Sequence, residues 1–120
     1  MKKEIKLGDK SLMFEATAMT DHMADHIFGI NIAYSVQNAE KNAEKMPELI
    51  RKIAFIMNKR AELGGWRKVE ELSQEDYYDW LDEIESYEIE QNAAEIMNLY
   101  AKNKETKVLP KKENSPQPES

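Results

Sequence analysis

The chain contains no cysteine. That excludes a disulfide framework, a thiolate zinc site and a thiol nucleophile, and it fits a reducing compartment. There is no apolar run near the roughly 20 residues needed to cross a bilayer. The basic opening MKKEIKLGDK lacks the apolar core of a secretory signal, so the expectation is a protein that stays in the cytoplasm of the cell that makes it. Lysine and arginine are missing from Val69 to Ala101, where eleven Asp and Glu occur. With only four Gly and four Pro, most of the few that are present mark an element boundary.

What is present describes one small domain. Of 120 residues, 41% are apolar and 33% charged, enough for a modest core under a polar surface. The formal net charge is −6; residues 102–120 carry five Lys and three Glu, a balance of +2, which leaves −8 on residues 1–101. Such a body repels phosphate backbones, so no nucleic-acid partner is expected, and basic protein surface is the better match.

Patterning predicts an α+β, mostly α fold: a short hairpin over 3–16, then three to four amphipathic helices. Lys3–Leu7 and Ser11–Ala16 alternate around the turn residues Gly8-Asp9-Lys10. A lone hairpin is marginal in water, so it must lie on helices or pair with a neighbour, which makes self-association plausible. Met19, Met23, Ile27 and Ile30 form a helical stripe over about 18–29, with Thr17 or Thr20 as cap and Gly29 as stop. Ile32–Lys45 is a candidate continuation. Pro47 opens a second clear helix, 47–63, with Leu49, Ile50, Ile53, Ile56, Met57 and Ala61 inward, ended by Gly64-Gly65. Trp66, Val69 and Leu72 are expected to fold back onto the core. Ser73 with Glu75 and Asp76 caps a helical stretch over 73–101 whose first stripe is Tyr77, Trp80, Leu81, Ile84; past an interruption at Ser86, Ile89, Ala93, Ile96, Met97 and Tyr100 form a second, on a continued helix or on a fourth one after a break. The globular domain is thus 1–101. Residues 102–120, rich in Lys, Pro, Ser and Glu, read as a disordered tail.

Candidate chemistry is thin. His22 and His26 stand four apart, a spacing that can place two imidazoles over one metal ion. A metal site takes three or four ligands, Asp25 points roughly 60–100° away around a helix, and residue 23 is Met where an HExxH motif needs Glu. The pair borders the apolar stripe, which favours structural or interface histidines over a metal centre. Asp79, Asp82, Glu83 and Glu85 are many but alike, and nothing separates their environments as acid–base catalysis requires. No catalytic, cofactor-binding or metal residue is assigned, and an enzyme is not expected.

Three stretches carry a resemblance to a known family: IKLGDKSLMFEAT, MPELIRKIAFIMNKRA with its Gly stop, and AAEIMNLYAKNKETKVLPKKENSPQPES. Together they resemble the tail assembly chaperones of long-tailed bacteriophages and prophages of Gram-positive hosts. The resemblance implies a non-catalytic protein of the infected cytoplasm, absent from the mature virion, that coats the helical tape-measure protein before tail-tube subunits polymerise. It implies as partners the tape-measure protein, the tail-tube protein and a longer frameshifted form of the same chain. Lys111-Lys112 would then be candidate frameshift-site lysines, because two Lys codons can supply a slippery A-rich run. Met19, Met23, Ile27, Tyr77 and Trp80 are the candidate partner-binding residues, to be divided between core and groove. The rival reading is an acidic phage-type inhibitor, a DNA mimic or regulator-binding protein, suggested by the base-free segment 69–101.

Overall fold

The computed structural model describes residues 1–104. Lys111, Lys112 and the rest of the segment read as a tail from Glu105 onward lie outside the described residues. An N-terminal antiparallel hairpin, β1 (Lys2–Leu7) and β2 (Lys10–Glu15), runs from Lys2 opposite Glu15 to Leu7 opposite Lys10. Its two-residue turn starts at Gly8, whose φ of 64° suits the turn classes that match strand twist. Ile5, Leu7, Phe14 and Ala16 are buried on one face, as alternation requires.

Seven α-helices follow among the described residues. The helix α1 (Ala18–Phe28) begins with a reciprocal cap: Thr17 Oγ1 accepts from the Met19 N–H at 3.0 Å and Thr20 Oγ1 from the Thr17 N–H at 3.1 Å. Both threonines therefore cap it. Gly29 ends it in the left-handed conformation, and Asn31 caps α2 (Ile32–Lys41) by accepting from the Tyr34 N–H at 2.9 Å. A single 3₁₀ turn, Ala43–Lys45, leads into α3 (Met46–Leu63), which Gly64 stops at φ 75°.

The longest helix, α3, is the axis of the fold. It packs against β2 and against α1, α2, α4, α5, α6 and α7. Every residue from Ile53 to Asn58 is buried, so its middle is enclosed on all faces rather than along one stripe. Phe55, outside the expected stripe, anchors an edge-to-face aromatic cluster with Tyr77 at 5.3 Å and Trp80 at 5.6 Å between ring centroids. Each fully buried aliphatic side chain on α3 contributes about 1.5–3 kcal/mol of hydrophobic stabilisation.

The stretch 73–101, expected as a continued helix or as two helices with a break near Ser86, does break there and divides once more, into α5 (Gln74–Asp82), α6 (Ser86–Gln91) and α7 (Ala93–Lys104). Ser73 caps α5 in a box with Asp76, its N–H donating to Oδ2 at 2.8 Å. The breaks let all three helices pack against α3 and bury Tyr77, Trp80, Ile89, Ile96 and Leu99 in the core. The final helix also runs past the expected boundary at 101, because Lys102 and Lys104 suit a helix C-terminus and Lys104 Nζ reaches Asp21 Oδ2 at 2.5 Å. The short α4 (Trp66–Glu70) buries Val69 and leaves Leu72, just beyond it, half-buried, but Trp66 points outward, more than half exposed, against the expectation that it folds inward. Its ring lies 4.6 Å from the Arg67 guanidinium instead.

Candidate functional site

The histidine pair is a clasp between helices. The rings of His22 and His26 stack at 5.9 Å with an interplanar angle of 12°. Both Nε2 atoms point at one residue, Glu70 at the end of α4: His22 lies 2.6 Å from its carboxylate and His26 donates to its carbonyl at 3.2 Å. Glu70 thus engages the Nε2 atom of each ring. Among the described residues no group of three His, Cys, Asp or Glu converges as a ligand set.

Four of the five candidate partner-binding residues belong to the core. Met23, Ile27, Tyr77 and Trp80 are buried, and only Met19 keeps part of its surface. The reason is the central position of α3, which draws most of the inward stripes of α1 and α5 under cover. The Trp80 Nε1–H donates to Asn58 Oδ1, and the Tyr77 hydroxyl donates to Glu48 Oε2 at 2.9 Å. Burial, aided by the Glu48 carboxylate, pushes the Tyr77 hydroxyl well above its ordinary pKa. Tyr100 behaves alike: burial first, then the Asp21 carboxylate 2.5 Å away, raise it. Both tyrosines are therefore locked hydrogen-bond donors that tie helices together, not proton shuttles.

The surface that remains for a partner is different from the one expected. Four large aromatics stand more than half exposed, each on a different helix: Tyr34 on α2, Trp66 on α4, Tyr78 on α5 and Tyr87 on α6. Tyr78 was legible in principle, since it sits about 100° around the helix from Tyr77 and so off the inward stripe. Around Tyr78 and Tyr87 lie the exposed acids Glu75, Asp79, Asp82, Glu83 and Glu85. Among the described residues no Lys or Arg side chain pairs with any of these five carboxylates, although Lys10 Nζ donates to the Glu83 carbonyl at 3.1 Å. An apolar groove of about 320 Å³ opens beside α6, lined by Ala43, Met46, Pro47, Ile50, Ile89, Glu90 and Ala93. No sequence pattern announces it, because its walls come from two distant segments.

The hairpin offers less than its open edge suggested. On β2, the Met13 carbonyl accepts from Asn58 Nδ2 at 2.9 Å, and β1 carries Lys2, Lys3 and Lys6, residues that discourage strand addition. No helix among the described residues is long and apolar enough to cross a membrane.

No protein-family model, curated protein or solved structure matches the chain.

Proposed function

We propose that this protein is a non-catalytic binding protein that coats a helical partner, acting as a phage tail assembly chaperone on the tape-measure protein. The observation that supports this reading best is the pairing of exposed Tyr78 and Tyr87 with the carboxylates of Glu75, Asp79, Asp82, Glu83 and Glu85, none of which has an ion-pair partner among the described residues. Tyr78 and Tyr87 offer large, rigid contact area, and the acids around them keep that face solvated and attract basic surface. This is the chemistry needed to hold an aggregation-prone amphipathic helix and release it later. The resemblance in sequence points to the same role. Co-expression with the tape-measure protein of the same phage or prophage tests it: co-purification at low salt is expected, weakened by Tyr78→Ala with Tyr87→Ala, and its absence rejects the role.

A second reading draws on the same face. Because Tyr77 and Trp80 are buried, they do not break up the outer carboxylates of α5, and Asp79, Asp82, Glu83 and Glu85 form an acidic surface fit for an inhibitor that mimics DNA. Tyr78 stands within that surface and interrupts a phosphate-like row. Release of DNA from a nuclease on adding the protein would select this reading over the first.

A further inference from the structure

The outer edge of β1 carries a charge pattern that is complementary to itself. Met1 and Ala16 exchange main-chain hydrogen bonds: the Ala16 N–H donates to the Met1 carbonyl at 2.8 Å, and the Met1 amine to the Ala16 carbonyl at 3.2 Å. In an antiparallel ladder such pairs alternate with pairs that make no bonds to each other. With Lys2 opposite Glu15 and Leu7 opposite Lys10, the alternation fixes which main-chain groups face out. Lys3, Ile5 and Leu7 bond to β2, whereas Lys2, Glu4 and Lys6 turn their N–H and C=O groups away from it. The same rule holds on β2, where the outward Met13 carbonyl is taken by Asn58 of α3. On β1, no main-chain partner for Lys2, Glu4 or Lys6 and no third strand occurs among the described residues. The nearest element, α7, approaches β1 from the buried face, where Lys3 Nζ lies 2.8 Å from Glu95 Oε2. An open groove lined by Lys2, Lys3, Glu95, Asn98 and Leu99 lies between them.

The side chains along this edge are as specific as its main chain. Lys2, Glu4 and Lys6 share the solvent face of the hairpin, and all three are exposed. Within the hairpin, Glu4 stands opposite Met13 and Lys6 opposite Ser11, so neither has a charged cross-strand neighbour. Neither forms an ion pair among the described residues.

We infer that β1 pairs antiparallel with β1 of a second copy about a two-fold axis at Ile5, joining two hairpins into one four-stranded sheet. A two-fold axis on a residue sets that residue against itself. From Lys2 to Lys6 every residue except Ile5 is charged, so axes at Lys2, Lys3, Glu4 or Lys6 bring like charges face to face. An axis at Leu7 leaves almost no strand to overlap. The axis at Ile5 sets Ile5 against Ile5 and Glu4 of each copy against Lys6 of the other, twice by symmetry. Both of those residues have outward main-chain groups, so each Glu4–Lys6 pair also exchanges two main-chain hydrogen bonds. Edge lysines repel strands of other composition; here they specify one register with one partner. The pairing goes beyond the chaperone reading and uses none of the residues assigned to the partner there.

Sedimentation equilibrium of the full chain over a concentration series tests it, with wild type expected to dimerise. Glu4→Lys and Lys6→Glu each set like charges opposite at both pairs, and each should weaken the dimer about tenfold or more. Combining the two substitutions in one chain restores opposite charges in the same register and should restore the dimer. Mixing the two single variants should likewise give a heterodimer. Both positions are exposed, and far-UV circular dichroism checks that every variant is folded. A wild type that stays monomeric throughout the series would overturn the pairing. So would single variants that associate as tightly as wild type, or a folded double variant that does not recover the dimer.

Discussion

The indole N–H of Trp80 donates to Oδ1 of Asn58 across 2.8 Å inside the core, and Asn58 passes the contact on to the Met13 carbonyl of β2. One buried amide thereby satisfies an indole on α5 and a strand-edge carbonyl. Removing it orphans both groups, which costs the desolvation of each. Asn58→Ala is expected to destabilise by about 2–4 kcal/mol, and Trp80→Phe, which orphans only the amide oxygen, by less. Urea unfolding of the two variants checks the order; equal stability of Asn58→Ala and wild type would show that the relay is not formed.

Tyr77 and Tyr100 predict alkaline unfolding. Each has a folded pKa above its unfolded value near 10. Below that value both states are protonated and the stabilisation is fully present. As pH rises past about 10, the unfolded chain loses protons that the folded chain keeps, so stability falls by about 1.4 kcal/mol per pH unit for each tyrosine. Tyr77→Phe with Tyr100→Phe should flatten the slope of unfolding free energy between about pH 10 and 12. An unchanged slope would mean that neither hydroxyl is held as described.

The histidine clasp is partly exposed on both sides, and such pairs contribute little. His22→Ala with His26→Ala is expected to cost no more than about 1–2 kcal/mol in total. A chelator should leave the melting temperature of the wild type unchanged, since both Nε2 atoms face Glu70 and no set of three ligands converges among the described residues. A chelator-induced drop in Tm would restore the metal reading.

Gly8 is constrained twice. Its φ is positive, and a Cβ there would run into the Glu88 carboxylate where the hairpin turn meets α6. Gly8→Ala should cost about 1–2 kcal/mol from the left-handed backbone alone, and more with the clash. Thermal melts of Gly8→Ala in the presence and absence of Glu88→Ala separate the two effects; a full rescue by Glu88→Ala would place the whole cost in the clash.

Burial also separates folding from binding. Met23→Ala should lose about 2–5 kcal/mol as a core truncation, whereas Tyr78→Ala and Tyr87→Ala should stay within about 0.5 kcal/mol of wild type. Chemical denaturation decides it, and a strong loss at Tyr78 or Tyr87 would mean that those rings are structural.

Local signals in the sequence determined the elements. The Gly8 turn, the Thr17–Thr20 cap, the Gly29 and Gly64 stops and the Ser73–Asp76 cap act over a few residues, so the chain itself states them. Periodicity likewise separated inward from outward faces on α1 and α3. Only the tertiary structure decided that α3 is enclosed on every side, and that enclosure turned Met23, Ile27, Tyr77 and Trp80 from candidate contacts into core. It also broke 73–101 into three helices, turned Trp66 outward and joined His22 and His26 to Glu70, 48 and 44 residues away in sequence. The groove between Met46 and Ala93 belongs to the same class. Caps and turns are short-range chemistry, while a surface assembled from distant segments exists only after the core has chosen which faces to bury.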